Sequence, residues 1–164
     1  MAGIPPEVRA LAELSPVEDL LLPILREGLP GVPVQSLITA DQRFPLVLPR
    51  RIPHFGEWSA DQRFTDEADV TVQCFAEDPD GDEDAGILSE AVRVVLRDAG
   101  LTGKAVPGRG RIISVRMTSA PRRATDWATA TGPVQYADLP TGVIRYETQY
   151  RVAIRKPRQR PFLP

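Results

Sequence analysis

The chain has 164 residues, a length that fits one domain able to bury a core without a disulfide. It has 20 basic and 22 acidic residues, and the resulting formal net charge of −2 argues against a general nucleic-acid binder. Its one cysteine, Cys74, cannot form an internal bridge and favours a reducing compartment. No apolar run reaches the ~20 residues that span a bilayer and the start lacks the layout of a signal peptide, so we expect no membrane association and synthesis in the cytoplasm.

A first helix is predicted after an N-terminal arm of residues 1–14. Ser15 is the expected N-cap, Pro16 the first helical residue and Glu18 a capping-box partner. Apolar residues then recur at helical spacing along one face, at Val17, Leu20, Leu21, Ile24 and Leu25. Pro23 lies inside this pattern and predicts a kink or an early end, because its ring removes a hydrogen bond and clashes with the preceding turn.

Extended segments follow. Two short ones are predicted near residues 34–39 and 46–48, where the surrounding prolines favour the edge of a sheet. A further strand is predicted from the alternation of Val70, Val72, Cys74 and Ala76 with polar residues, which is typical of a strand with one buried face.

An acidic turn, Glu77–Asp84, then places six carboxylates in eight residues. It departs from a calcium loop, since Glu83 stands where glycine is required and Ser89 where a bidentate glutamate is required. We therefore expect a solvated turn and no metal site. The second helix follows, with an apolar stripe from Ile87 to Ala99 and Gly100 as its expected C-terminal cap.

Two strands close the ordered part of the chain. Residues 111–118 are expected to place Ile113, Val115 and Met117 on one side. Residues 143–155 alternate more regularly and would reach ~43 Å if unbroken. One face of that strand holds Ile144, Tyr146, Thr148, Tyr150, Val152 and Ile154, and the other Arg145, Glu147, Gln149, Arg151 and Arg155.

The order of elements predicts a single α+β domain over residues 15–155. Its mostly antiparallel sheet is flanked by two helices, and the face away from the helices needs water or a neighbouring subunit. Residues 156–164 are predicted to form an extended, basic, proline-rich C-terminal arm.

Patterns that carry chemistry are missing from the sequence. His54 is the sole histidine, which excludes a histidine triad or a multi-histidine metal site, and Gly108–Arg111 lacks the lysine of a phosphate loop. We expect a structural protein with no catalytic residues and no cofactor.

Three segments, DEADVTVQCFAED, AGILSEAVRVVLRDAG and the closing RYETQYRVAIR, together resemble the tail terminator proteins of siphophages, particularly of phages that infect actinobacteria. The resemblance covers about residues 15–155 and rests on the layout of the elements and on the closing strand. It implies a ring of six subunits that ends tail-tube growth at the head-proximal end of the tail. The implied partners are other copies of the chain, the tail tube protein and the head-side connector, in a virion assembled in the bacterial cytoplasm.

Each subunit of such a ring must offer two different complementary surfaces. The acidic turn and the basic closing strand are one candidate pair, and the alternative is that both are solvated. The candidate interface residues are Trp127, Tyr136 and Leu139 in a long loop, Arg145, Arg151 and Arg155 on the closing strand, and Lys156, Arg158, Arg160, Phe162 and Leu163 in the C-terminal arm.

Several of these assignments have alternatives. The loop aromatics are expected to anchor an interface, or Trp127 covers the sheet edge. The arm docks on a neighbouring subunit or connector, contacts genomic DNA in the ring without sequence specificity, or is a disordered basic tail. For the whole chain, the alternatives are another neck component, such as a head completion or connector protein, a cytoplasmic binding module, and an enzyme.

Overall fold

The fold is seen in a computed structural model, which describes residues 3–10, 16–37, 42–53, 64–124, 142–155 and 157. Along these residues the elements are α1 (Pro6–Ala10), α2 (Val17–Gly28), β1 (Leu46–Ile52), β2 (Thr65–Glu77), α3 (Gly81–Thr102), β3 (Ala105–Val106), β4 (Gly110–Arg123) and β5 (Val143–Arg155). Helix α1 lies in the predicted N-terminal arm, where Ile4 and Val8 are exposed.

The strands form one sheet in the order β1-β2-β5-β4-β3, and neighbouring strands are antiparallel throughout. Strand β5 lies between β2 and β4 and pairs with β2 along its whole length, from Val143 opposite Glu77 to Arg155 opposite Thr65. Helices α2 and α3 and one face of the sheet bury a continuous apolar core. The predicted α+β fold with a mostly antiparallel sheet is therefore confirmed.

Helix α2 buries the predicted face but differs at both ends. Pro16, with φ −51° and ψ 144°, occupies the N-cap position rather than the first helical position, and Ser15 lies outside the described residues. The Glu18 carboxylate accepts a hydrogen bond from the Arg51 backbone N–H at 2.7 Å, and the capping box predicted between Glu18 and Ser15 stays a prediction. Of the kink or early end predicted at Pro23, the early end is wrong, since the helix continues to Gly28. Burial of its apolar face offsets the one hydrogen bond that proline removes.

Strands β1 and β2 are longer and more deeply buried than predicted. The strand near residues 46–48 extends to Ile52. Of the segment predicted near 34–39, the described residues 34–37 form an isolated bridge, from Val34 to Val47, and no strand. The single buried face expected for β2 is wrong, because Thr71 and Gln73 are 7% and 4% exposed. A second apolar cluster, formed by Leu46, Leu48 and Phe75, lies on the sheet face away from the helices.

Helix α3 begins earlier and ends later than its apolar stripe indicated. It includes the last carboxylates of the acidic turn in its first turn, where the positive end of the helix favours them. The cap expected at Gly100 is wrong. Gly103 ends the helix in the left-handed conformation, with φ 59° and ψ 46°. Gly100 instead lies inside the helix, and a Cβ there would come within 3.1 Å of the Val115 backbone nitrogen.

Strand β4 extends past the predicted end and changes phase near its start. The register with β5 shifts between Ile112 and Ser114. Ile112 is therefore in the core, whereas Ile113 and Met117 are 46% and 43% exposed. The prediction that Ile113, Val115 and Met117 share one side is wrong for Ile113, which lies at the register shift, whereas Val115 and Met117 lie opposite Val152 and Tyr150 on the same side. Sequence alternation does not reveal a β-bulge.

The alternation predicted for β5 is confirmed. Tyr150, Val152 and Ile154 are buried in the core beneath the helices. The arginine-bearing face points away from the helices, and its residues are paired in register with the odd-numbered residues of β2.

Candidate interaction surfaces

The three β5 arginines singled out from the sequence have different surroundings. Arg145 is 6% exposed and belongs to the interior. Arg151 donates two hydrogen bonds to the Asp69 carboxylate, at 2.8 and 3.1 Å, and this contact raises the pKa of the guanidinium. Arg155 is exposed at the end of the strand. Of these three side chains, Arg155 is the one most available to a partner.

The other candidate interface residues are Trp127, Tyr136, Leu139, Lys156, Arg158, Arg160, Phe162 and Leu163, and they lie outside the described residues. So does His54. Their roles stay predictions.

The acidic turn lies at the end of β5 opposite to Arg155. The Asp78 backbone N–H donates to the Gly142 carbonyl at 3.1 Å, which joins the turn to the residue preceding β5. The Asp82 carboxylate accepts a hydrogen bond from the Tyr146 hydroxyl at 3.4 Å and lies 3.5 Å from the Arg123 guanidinium. Within the described residues, no three His, Cys, Asp or Glu side chains are grouped so as to hold a metal ion.

The exposed charges that form no ion pair within the described residues have opposite signs at the two ends of the sheet, whereas Arg122 and Arg123 lie at the acidic end and are paired with Glu147 and Asp82. At one end, Glu83 and Asp84 are exposed and make no ion pair with the described residues. Toward the other end, Arg111, Arg116 and Arg155 are likewise exposed and form no ion pair within the described chain. Because ~40 Å of β5 separates its two ends, the acidic turn and Arg155 cannot neutralise each other within one subunit.

The β1 edge of the sheet is closed. Val47 donates its backbone N–H to the Pro33 carbonyl and accepts from the Gln35 N–H, at 2.9 and 3.0 Å. Pro49 has no N–H to offer, and the Arg51 N–H is held by Glu18 at 2.7 Å. The outward N–H positions of β1 are therefore satisfied or missing, and another strand cannot readily pair there.

The β4 edge is open. In the described structure β3 pairs only with Gly110 and Arg111, so β4 has no neighbouring strand on that side from Ile113 to Arg123. We call this stretch the β4 edge. Ile113 and Met117 are exposed there, and β4 carries four arginines without one carboxylate. This surface was not among the sequence-based predictions, although the arginines of GRIISVRMTSAPRR, which has no acidic residue, were a signal for it.

A small polar group lies in the core between α3 and the sheet. The Ser89 and Thr148 hydroxyls are hydrogen-bonded at 3.0 Å. Burial raises the pKa of the Cys74 thiol to about 12, against a lesser opposite effect of the Ser89 hydroxyl, and burial also raises the pKa of Tyr150. A thiol that stays protonated at neutral pH is a poor nucleophile, so Cys74 acts as a small core residue.

No protein-family model matches the chain, and no curated protein matches it significantly. In the described part of the chain, no helix is long and apolar enough to cross a membrane.

Proposed function

We propose that this chain is the tail terminator of a long-tailed bacteriophage. It is a non-enzymatic structural subunit that forms a ring of six at the head-proximal end of the tail tube. There it ends tube growth and contacts the tail tube protein on one side and the head-side connector on the other. Genomic DNA passes through the ring without being read in sequence.

One observation carries the proposal furthest: the subunit presents unpaired charges of opposite sign at opposite ends of its longest strands. The acidic turn lies beside the start of β5. The exposed Arg155, Arg111 and Arg116 lie toward the end of β5 and in the first half of β4 and form no ion pair within the described residues. Two unlike complementary surfaces are what a heterologous contact requires, and such a contact closes into a ring when the rotation suits.

The resemblance of the closing strand supports the same assignment. The segment RYETQYRVAIR forms most of β5, the strand between β2 and β4 that anchors the sheet. Its inward residues secure the core and its outward residues carry charge. The part of the sequence that carries the resemblance is therefore the part that organises the subunit.

Imaging tests the proposal. An antibody raised against the purified chain is applied to the phage particles that contain it, and the particles are viewed in negative stain. We expect one label position per particle, at the junction of tail tube and head. Label along the tube, at the tail tip or only in disrupted heads would exclude a terminator. Label on the head-side connector in tailless heads would favour another neck component.

A further inference from the structure

Two arginines of β4 lie on the sheet face away from the helices, each directly opposite an arginine of β5. Arg111 is paired in register with Arg155, and Arg116 with Arg151. Residues that are opposite each other on antiparallel strands have their side chains on the same face, and like charges at such positions are destabilising. The sheet therefore holds two repulsive pairs, and an anion bound beside them would relieve the repulsion.

A β-bulge brings Arg116 to this face. Arg111 and Arg116 are five residues apart, so strict alternation along β4 would place their side chains on opposite faces. The register shift between Ile112 and Ser114 reverses the alternation, and Ser114 and Arg116 then share the face of Arg111. Bulges commonly re-aim a side chain in this way. We call Arg111, Ser114 and Arg116 the β4 arginine row.

The arginines of the two strands differ in how they are neutralised. Arg151 donates two hydrogen bonds to the Asp69 carboxylate. Arg111 and Arg116 are exposed and form no ion pair with the described residues. Arg155 is also exposed, but it lies at the end of β5 and is left for the subunit contact of the proposed ring. In both opposed pairs, the arginine of β4 is therefore the one that lacks an anion.

The chemistry of the β4 arginine row favours phosphate groups over a protein surface. Arginine binds phosphate with two parallel hydrogen bonds, and serine hydroxyls are common donors to phosphate oxygens. The row has no apolar member, whereas the centre of a protein–protein interface is apolar and protein–DNA interfaces are polar and positively charged.

The same face favours a double-stranded nucleic acid over a single strand. Proteins that bind single strands stack the bases on aromatic side chains. Strand β4 has no aromatic residue, and the tyrosines of β5, Tyr146 and Tyr150, pack on the helix side. The face thus offers cations for a backbone and no platform for unpaired bases.

We propose that the β4 arginine row binds the phosphate backbone of duplex DNA without sequence specificity. The α-carbons of Arg111 and Arg116 are ~13 Å apart, since the residues opposite them are four positions apart on β5. The two guanidinium groups therefore contact different phosphates. The inference rests on the proposed function in one respect, since it identifies the face that each subunit of the ring turns toward the DNA.

The salt dependence of DNA binding tests the proposal. The full-length chain is titrated into a short labelled duplex at several salt concentrations, and fluorescence anisotropy gives the association constant. Each phosphate contact contributes about 0.9 to the slope of the logarithm of that constant against the logarithm of salt concentration. Arg111→Gln combined with Arg116→Gln should lower the slope by about 1.8 and weaken binding at low salt at least about tenfold.

A matched control separates the row from the net charge. Arg93→Gln combined with Arg97→Gln changes the charge by the same amount on α3, on the other side of the sheet, and should leave the slope unchanged. Arg116→Gln removes a like-charge contact with Arg151, so the urea midpoint of that variant should not fall. A lower midpoint would show that the arginine serves the fold.

Four results would overturn the proposal. They are absence of binding by the unchanged chain, an unchanged slope in the β4 double variant, an equal loss in the α3 control, and a loss confined to Arg158→Gln with Arg160→Gln, which would place the contact in the C-terminal arm. Polyglutamate that binds as tightly as the duplex would indicate an acidic protein as partner and would also overturn it.

This outcome is separable from the proposed function. If DNA binding does not depend on the β4 arginine row but the antibody marks the junction of tail and head, the terminator assignment stands and the DNA passes another face. If the row binds DNA and the antibody marks another place, the DNA contact stands and the terminator assignment fails.

Discussion

The two edges of the sheet differ in how their backbone hydrogen-bonding groups are protected. At β1, the segment before the strand supplies backbone partners for Val47, Pro49 removes a donor, and Glu18 of α2 holds the Arg51 N–H. At β4, eleven residues from Ile113 to Arg123 have no strand beside them in the described structure. The closed edge is protected by contacts from elsewhere in the fold, whereas the open edge is guarded only by its own arginines, Pro121 and bulges.

This difference between the two edges indicates which surface is available for assembly. Both edges are thus protected against pairing with another strand, but the charges, proline and bulges of β4 leave Ile113 and Met117 exposed, whereas the contacts at β1 leave its apolar residues buried. The β1 side is also the more buried, with Leu46, Val47 and Leu48 at most 1% exposed. Stability should therefore reside on the β1 side and association on the β4 side.

Thiol chemistry gives the largest expected contrast between the two sides. Cys74 lies opposite Val47 of β1 and has a pKa raised to about 12 by burial, whereas a thiol introduced by Met117→Cys would be exposed. At pH 8, we expect the native thiol to react with a chromogenic disulfide reagent at least about 1000-fold more slowly than the introduced one. Similar rates in the folded protein would mean that the β1 side opens readily.

The same burial predicts a dependence of stability on pH. The pKa of Cys74 in the folded protein exceeds its ordinary value of 9.0. The contribution of the protonated thiol to the free energy of unfolding is therefore complete below about pH 9 and declines as pH rises from there toward 12. Burial also raises the pKa of Tyr150, so ionisation of that side chain at high pH lowers stability in the same direction. Urea unfolding from pH 8 to 11 should show falling stability, with a shallower fall in Cys74→Ala. An unchanged slope in that variant would contradict the prediction.

The next largest difference is expected when apolar side chains are truncated, because the loss in the free energy of unfolding should be greater on β1 than on β4. Leu48→Ala on β1 removes a side chain that is 1% exposed and should lower the free energy of unfolding by about 3 kcal/mol. Met117→Ala on β4 should lower it by less than about 1 kcal/mol, since that side chain is 43% exposed. Urea denaturation of both variants measures this, and equal losses would remove the distinction between the edges.

An ion pair beneath the closed edge should have a smaller effect. The Arg51 guanidinium donates to both oxygens of Asp66, at 3.0 and 3.3 Å, and Asp66 is 2% exposed. Arg51→Met leaves that carboxylate without this partner and should cost about 2 kcal/mol. Arg116→Met on the open edge is the matched control and should change little. A double variant with Asp66→Leu should regain stability, because an apolar pair replaces the buried charge.

The smallest expected effect comes from the hydrogen bond that closes β1. Glu18→Ala frees the Arg51 N–H and should lower the free energy of unfolding by about 1 kcal/mol. Glu7→Ala, in the exposed helix α1, should have no measurable effect. If the two variants unfold at the same urea concentration, the hydrogen bond between the Arg51 N–H and Glu18 contributes nothing to stability.

Much of the fold followed from residue patterns. Helical spacing from Val17 to Leu25 and strict alternation along β5 predicted which faces are buried, because burial of one face imposes a period of 3.6 or 2 on the sequence. The ends of the helices and strands were harder to predict. Gly100 looked like a cap, yet its missing side chain serves the close approach of α3 to β4.

Residue patterns were enough to predict the fold class, the two main helices, the buried face of β5 and the placement of Pro49 on an edge strand. Tertiary structure alone decided that β5 enters between β2 and β4, that both faces of β2 are buried, and that a bulge turns Ile113 outward. It also decided which edge is closed, since Glu18 and Arg51 are 33 residues apart along the chain. Local patterns report the burial of each residue, but strand order and edge protection depend on contacts between distant segments, which no local period records.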